Sequence, residues 1–163
     1  MSRTFLLLVA GAFFALLLPI FESARGQDQG QVTKDVIFAR KTLMNSLSDE
    51  MDKIETMIDT GKINLASAKD GADLISVMLM AFPHLFPASS NQWKPNADLD
   101  PATDTFSSPE VWAKYSDFYE RAKASSKAAY EASRAENEAE LKREIGTLRN
   151  ACNSCHALYL KTQ

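Results

Sequence analysis

Apolar residues recur every three or four positions through most of the chain, and the two-residue alternation of a surface strand is almost absent. This spacing predicts amphipathic helices. The first is predicted over residues 32–60, because Gly61 follows as a residue that ends helices easily by taking a positive φ. Its buried face is predicted to carry Val36, Arg40, Leu43, Leu47, Met51, Ile54 and Ile58.

A second helix is predicted over residues 65–82, with Asn64 as its N-cap and Pro83 as the residue that stops it. Its apolar face holds Leu65, Ala68, Ala72, Ile75, Leu79 and Phe82. Residues 83–107 contain several prolines and read as a loop. So long a connection is unusual in a compact domain and indicates a wrapping or functional segment.

A third helix is predicted to open with Ser108-Pro109-Glu110, which combines an N-cap, a preset φ and an acid at the positive helix end. It carries Val111, Tyr115, Phe118, Ala122, Ser125 and Ala129 on one face. A fourth helix is predicted to begin near residue 134 or 138, because Ser133…Glu136 and Asn137…Glu140 both resemble capping boxes. It runs to about residue 160 with Leu141, Ile145, Leu148, Cys152, Cys155 and Tyr159 along one stripe.

Four amphipathic helices with one apolar stripe each can bury those stripes only against one another. The predicted fold is therefore all-α, an antiparallel up-down-up-down four-helix bundle with a long loop between the second and third helices.

The N-terminus predicts a cleaved signal peptide over residues 1–26, leaving residues 27–163 as one domain. Arg3 precedes an apolar run over residues 5–21, and small residues follow before Gln27. A retained anchor is the alternative, since the run just reaches the lower length limit of about 17 residues for crossing a bilayer. Pro19 and the small residues favour cleavage. The expected location is an oxidising compartment, the bacterial periplasm.

The net charge of the chain excludes some classes of binding partner. Without Arg3, Arg25 and Glu22, the 18 basic and 21 acidic residues of the chain become 16 and 20, a net charge of −4. This mild acidity argues against nucleic acid and against an anionic membrane surface as partners. The sequence shows no Gly-rich phosphate loop and no Ser-His-Asp spacing, so we predict no catalytic residues and no enzymatic activity.

Both cysteines of the chain and one of its two histidines stand together near the C-terminus, in the stretch RNACNSCHALYL. On a helix, Cys152, Cys155 and His156 project from one face, which the apolar stripe predicts to be buried. Thiols at this spacing can form thioethers with the two vinyl groups of a haem, and the adjacent histidine can then reach the iron. Cys-x-x-Cys-His is the attachment signature of c-type haem.

Three other chemistries remain open for this motif. A thioredoxin-like dithiol is expected at a helix start within a β-α-β pattern, whereas this pair lies far inside the last helix. A zinc site needs a fourth ligand, and His84 stands alone in the loop. A structural disulfide across neighbouring helical turns would close a loop too short to stabilise the fold much. Export and the absence of other cysteines favour covalent haem.

With these motifs the chain resembles the class II cytochromes c, the family that contains cytochrome c′ and its low-spin relatives with methionine ligation. The resemblance covers nearly all of residues 27–163. It rests on Cys-x-x-Cys-His near the C-terminus, on Tyr159, on Arg40-x-x-x-Met44 in the first helix, on Leu85-Phe86-Pro87 and on Ser108-Pro109-Glu110-Val111-Trp112.

The resemblance implies roles for five residues. Cys152 and Cys155 would hold the haem covalently, and His156 would be the proximal iron ligand. Met44 falls where the family places its distal residue, and a methionine there can be the sixth ligand of a low-spin iron. Arg40 matches a position that commonly contacts a haem propionate.

Both assignments in the first helix have simpler alternatives. A methionine on a helix face is usually core filling, and Met51 and Met57 lie in the same segment. Arg40 on an apolar stripe argues for an acidic partner inside, because a buried guanidinium needs one. It could instead lie at a solvated edge of the stripe.

The chain also departs from the family pattern. Many relatives carry Tyr-Arg after the motif, but Leu160 follows Tyr159 here, so a cation near the proximal face is missing; Lys161 could substitute in part. Arg149 stands where relatives often carry a glycine, although Gly146 matches another glycine of the pattern. These departures concern packing at the haem edge.

Three functions are compatible with the sequence. The first is a periplasmic electron carrier with one haem c, transient redox partner proteins and no membrane contact after cleavage. The second is a high-spin protein that binds nitric oxide or carbon monoxide at an open distal position, and the third is a haem-free helical interaction module. Members of the family form dimers through their first two helices, so a homodimer is compatible with the resemblance.

Overall fold

The fold is described from a computed structural model, which describes residues 18–100 and 102–161, with side chains described from residue 29 onward. Within these residues five α-helices follow one another: α1 (Leu18–Asp59), α2 (Leu65–Ala81), α3 (Glu110–Ala113), α4 (Tyr115–Ser133) and α5 (Glu138–Tyr159). Two 3-10 helices, Phe82–Leu85 and Ala88–Ser90, lie in the connection after α2. Within the described residues the only β pairing is an isolated bridge between Ser107 and Leu160.

The chain divides into two compact units, residues 1–35 and residues 36–163. In the first unit, Gln31 Nε2 donates a 2.8 Å hydrogen bond to Asp35 Oδ1, one helical turn away. The predicted signal peptide lies largely outside the described residues, and its cleavage stays a prediction. In the described part of the chain, no helix has the length and apolar character needed to cross a bilayer.

The first helix begins earlier than predicted, at Leu18 instead of near residue 32. The polar stretch that precedes Val32 lacks the apolar periodicity used to place the helix start. It contains three glutamines, at positions 27, 29 and 31, whose helix propensity is high, but also Gly26 and Gly30, so local propensity alone does not explain the early start.

The second unit is the predicted all-α four-helix bundle, in which α3 forms a single turn before α4. Its core takes the predicted faces of α1, α2 and α5. Ile54, Leu141 and Leu148 are at most 1% exposed. The core cluster also contains Leu47, Met51, Ala68, Ala72, Ile75, Leu79, Ala128, Ala129, Ala132, Ala135 and Ile145.

Three predicted helix ends are confirmed. At the end of α1, Gly61 has a φ of +67°, Lys62 N donates to the Met57 carbonyl and Gly61 N donates to the Ile58 carbonyl, which is a Schellman motif. Asn64 caps α2 by accepting a 3.1 Å hydrogen bond from Ser67 N. For α5 the later of the two predicted starts is right, because Asn137 Oδ1 accepts a 3.0 Å hydrogen bond from Glu140 N.

The third predicted helix is wrong in two details. It is divided at Lys114, whose φ of −125° and ψ of 41° interrupt the helix between α3 and α4. Ser108 is not its side-chain N-cap, because Ser108 Oγ donates to the Leu158 carbonyl at 3.3 Å. The segment is also bonded to the long loop, since Trp112 Nε1 donates to the Phe86 carbonyl at 3.2 Å.

The predicted long loop connects α2 to α3 and is fastened at both ends. Tyr115 Oη donates to the Pro83 carbonyl at 2.9 Å near its start. Near its end, Lys161 N donates to the Phe106 carbonyl at 2.9 Å and Ser108 N donates to the Tyr159 carbonyl at 2.8 Å. The first bond holds the start of the loop against α4, and the other two hold its end against the C-terminal end of α5.

Candidate functional site

A cavity of about 460 Å³ lies within the second unit and is lined by α1, α2, the long loop, α4 and α5. All five site residues predicted from the sequence line it. Arg40 and Met44 come from α1, whereas Cys152, Cys155 and His156 come from α5. Residues more than a hundred positions apart in the sequence therefore share one cavity.

Most of the cavity wall is apolar. Aliphatic side chains of the bundle core meet aromatic rings of the loop and α4 there. Members of this wall include Leu47, Ile75, Leu79, Phe82, Phe86 and Phe118. Its volume and apolar lining are typical of cofactor sites, which occupy about 300–1,000 Å³.

The motif Cys152-x-x-Cys155-His156 lies on the last two turns of α5. The prediction that all three side chains are buried is wrong, because both cysteines are half-buried and His156 is exposed. The apolar stripe of α5 is buried in the core at Ile145 and Leu148. Further along the helix, Cys152, Cys155 and His156 line the cavity. The three side chains therefore face a cavity instead of the close-packed interior.

The protonation of the motif follows from these surroundings. Loss of hydration raises the pKa of the Cys152 thiol, and it raises the pKa of the Cys155 thiol to about 11. The pKa of His156 is lowered, mainly because its ring loses hydration and additionally because Arg149 is positively charged. At neutral pH the site therefore presents two protonated thiols and a neutral imidazole, the form that binds metals.

These properties bear on the competing chemistries. A redox dithiol depends on a thiol with a lowered pKa, and both thiols here have raised values. His84 packs against the ring of Tyr119 at a centroid distance of 6.0 Å and does not line the cavity. Among the described residues no three His, Cys, Asp or Glu side chains form a group that could hold a metal ion.

Met44 is half-buried on α1, where it packs against the core cluster and lines the cavity. It thus takes part in the core, as methionines commonly do, and also presents its side chain to the cavity that His156 lines. Met57, on the same helix, packs against the core cluster without lining the cavity.

Arg40 is 3% exposed, so the alternative of a solvated stripe edge is wrong. Its guanidinium donates to Ser90 Oγ at 2.9 Å, to the Ser90 carbonyl at 3.3 Å and to Thr105 Oγ1. It also lies over the rings of Phe86, 4.7 Å from the centroid, and Trp112, 5.6 Å from the centroid. The loop therefore holds the arginine in place.

The charge of Arg40 is not neutralised by the groups that hold it. All its hydrogen-bond acceptors are uncharged oxygens, and among the described residues no carboxylate forms an ion pair with it. Burial lowers its pKa to about 10. A cation placed this way at a cavity wall favours an anionic group inside the cavity.

A second set of polar groups lies behind the motif. Tyr159 Oη and Arg121 Nε both donate to Asp117 Oδ2, the latter at 2.7 Å. Tyr159 is 5% exposed, and its ring meets Phe118 edge-on at a centroid distance of 5.3 Å. These contacts fasten the last turn of α5 to α4.

The family profile described as Cytochrome C' matches residues 35–159. The chain belongs to the cytochrome c′ family. The match covers α1 from residue 35 to its end and all of α2 to α5. It includes every residue that lines the cavity except Leu160. A cytochrome is a haem protein, so family membership assigns a c-type haem to this cytochrome.

Solved structures of this family share the fold of the chain. A cytochrome c′ from Rhodopseudomonas palustris is 26% identical, with a TM-score of 0.69 over 79% of this chain and 98% of that one. A cytochrome c556 from R. palustris is 21% identical, with a TM-score of 0.65 over 79% and 98%. A cytochrome c′ described by its unusual ligand-controlled dimer dissociation is 19% identical, with a TM-score of 0.68 over 80% and 97%. A search of curated protein sequences gives no match.

The residues of this cytochrome fit a covalently bound haem. Two protonated thiols and a neutral imidazole lie on one wall, the interior is apolar, and a buried cation lies on α1. Sequence reasoning missed the groups that hold these residues in place. Ser90 and Thr105 lie in a segment with no periodic pattern, so only the folded loop shows that they bind Arg40.

Proposed function

We propose that this cytochrome is a periplasmic electron carrier with one haem c, held by Cys152, Cys155, His156 and Met44. The observation that carries the proposal is that α1 and α5 bring a thioether and a neutral imidazole to one cavity. When bound, the haem supplies an iron that cycles between the ferric and ferrous states.

Cys152 and Cys155 are the attachment residues. Each thiol would hold the haem by adding its sulfur to one carbon of a vinyl group and its hydrogen to the other, which would form a thioether bond. Because the cysteines are one helical turn apart on α5, their thioethers fix the orientation of the haem relative to His156. The imidazole is neutral at physiological pH and can donate its nitrogen lone pair to iron.

Met44 is the proposed sixth ligand. A thioether is a soft, uncharged ligand and favours the ferrous state, which raises the reduction potential. With His156 and Met44 both holding the iron, electron transfer would change its coordination little. These properties suit a carrier that exchanges electrons with transient protein partners, and no catalytic group is assigned.

Arg40 is the proposed partner of a haem propionate. It lies in the cavity wall one helical turn before Met44, and its charge is uncompensated by the described residues. An anionic propionate would supply the missing negative charge in a poorly hydrated place, where ion pairing is strong.

A gas-binding protein is the second candidate, favoured by the aliphatic wall that Leu47, Ile75 and Leu79 form. If Met44 does not bind iron, a small gas such as nitric oxide or carbon monoxide would meet this aliphatic wall. A homodimer is a further proposal, since the related cytochrome c′ with ligand-controlled dissociation is a dimer.

The absorption spectra of the purified ferric and ferrous holoprotein test the proposal. We expect low-spin spectra, and we expect Met44→Ala to convert them to high-spin spectra while Met57→Ala, the matched control on the same helix, leaves them unchanged. A high-spin wild-type spectrum would favour the gas-binding candidate. Low-spin spectra that survive Met44→Ala would assign the sixth ligand to another residue.

Covalent attachment is tested separately. Cys152→Ala, expressed with export, should leave at most one thioether and lose most covalent haem after denaturation and extraction. If the wild-type protein itself carries no covalent haem, the haem-free helical interaction module becomes the better description.

A further inference from the structure

The most distinctive charged group at the cavity is Arg149 on α5. Its guanidinium forms a two-point ion pair with Glu55 of α1, in which Nε donates to Oε1 at 2.7 Å and Nη2 donates to Oε2. Asp52 lies further away, with its Oδ1 3.8 Å from Nη2. A two-point pair holds the planar guanidinium in one orientation, which a single contact would not do.

The pair is arranged with its positive end toward the cavity. Arg149 lines the cavity, whereas Glu55 and Asp52 are not among the residues that line it. Arg149 lies seven residues before His156 on α5, which places both on the same face of the helix about 10 Å apart along its axis, and both line the cavity. Its charge therefore reaches the side of the cavity that the imidazole occupies.

This cation lies at a position where the sequence resemblance anticipates a glycine, and the arginine expected after Tyr159 is missing. Lys161 does not replace it, because Lys161 lines a separate cavity formed by residues 93–99. Within the described residues, Arg149 is the arginine that lines the cavity on the same helix as His156.

We propose that Arg149, oriented by Glu55, is a fixed positive charge that raises the reduction potential of the iron bound at His156. The inference rests on the proposed function, since it requires haem at this site. Reduction adds one electron to the site and lowers its charge by one unit, with no bond formed or broken and no proton taken up. A nearby cation stabilises the more negative state, so it favours reduction.

The size of the effect is limited by exposure and by the counter-ion. The Arg149 side chain is 37% exposed and Glu55 is 31% exposed, so water and salt screen both charges. Glu55 opposes the effect of Arg149, but it does not line the cavity. We expect Arg149→Gln to decrease the equilibrium constant for reduction about three- to tenfold, where tenfold corresponds to about 59 mV for a one-electron couple.

Spectroelectrochemical titration of four purified holoprotein variants tests the proposal at low salt. Arg149→Gln should lower the midpoint potential, and Arg149→Lys should keep it near the wild-type value because the charge remains. Glu55→Gln should raise the potential slightly, since it removes the opposing negative charge. Arg143→Gln is the matched control, because Arg143 is on the same helix and pairs with Glu144 at 2.9 Å without lining the cavity.

A purely structural role for the pair predicts a different pattern. Arg149→Gln and Glu55→Gln both break the two-point contact, so in that case both would shift the midpoint potential in the same direction. Arg149→Lys would then behave like Arg149→Gln. Shifts of the same sign for Arg149→Gln and Glu55→Gln, or no shift for Arg149→Gln, would overturn the proposal. Failure of the proposed function itself would show in the wild-type protein, as a high-spin spectrum or as absent covalent haem.

Higher ionic strength provides a second readout. Salt screens exposed charges, so the potential difference between the wild-type protein and Arg149→Gln should shrink as salt is added. A difference that is independent of salt would indicate a change in packing around His156, and it too would contradict the electrostatic role.

Discussion

The guanidinium of Arg40 donates hydrogen bonds to both the hydroxyl and the carbonyl of Ser90, a residue of the long loop. Ser90 is fully buried, and its hydroxyl donates in turn to the Pro87 carbonyl at 2.8 Å. Through this contact the helix that carries Met44 holds the loop that supplies Phe86 to the cavity wall. One buried arginine thus connects α1 and the long loop, the two parts of the site that are distant in sequence from the cysteine motif.

Arg40→Ala should lower the free energy of unfolding by about 2–4 kcal/mol, since buried acceptors on the loop lose their donor and two rings lose a cation. Arg40→Lys should recover only part of this loss, because an ammonium cannot bond Ser90 and Thr105 in the same planar arrangement. Chemical denaturation measures both values. Arg143→Ala, at an exposed position, is the control, and equal losses for Arg40→Ala and Arg143→Ala would refute the fastening role.

Two glycines should respond to alanine in opposite directions. Gly61 has a φ of +67°, where an L side chain costs about 1–2 kcal/mol, so Gly61→Ala should destabilise the protein. Gly146 lies inside α5, and a Cβ there meets nothing within 4 Å. Gly146→Ala should therefore stabilise the protein by about 0.5–1 kcal/mol, since alanine has the higher helix propensity. Thermal unfolding of the two variants, with unchanged absorption spectra, measures the difference in sign.

Stability in alkali should depend on Tyr159. Burial and the carboxylate of Asp117 raise the pKa of Tyr159 to about 12, above the value of about 10 in an unfolded chain. A raised pKa means that the folded state binds the proton more tightly, so this stability is complete below about pH 10 and is lost as the pH rises toward about 12.

Tyr159→Phe should therefore reduce stability at neutral pH and weaken its decline between about pH 10 and pH 12. Tyr130→Phe is the control, because Tyr130 is 47% exposed on α4. Denaturant unfolding across this pH range gives the comparison. If the decline is as steep in Tyr159→Phe as in the wild-type protein, other groups are responsible for it.

Helical phase allowed much of the fold to be predicted. Residues such as Ile54, Leu79 and Leu148 recur at the helical period and are buried as expected. Helix ends were predictable where the end requires a particular residue type. Gly61 takes a positive φ at the end of α1, and the side chains of Asn64 and Asn137 cap the starts of α2 and α5. The break at Lys114 was not predictable in this way, because neither Lys114 nor its neighbours Ala113 and Tyr115 is a residue type that marks a helix end.

The sequence by itself determined the phase of the helices and the position of the Cys-x-x-Cys-His motif near the end of the last one. Both depend on spacing along the chain, since helical neighbours are three and four residues apart. The tertiary structure alone decided that Arg40 is held by Ser90 and Thr105 and that Glu55 turns the charge of Arg149 toward the cavity. Such contacts join residues whose separation follows no period, so they exist only once the helices and the loop are packed together.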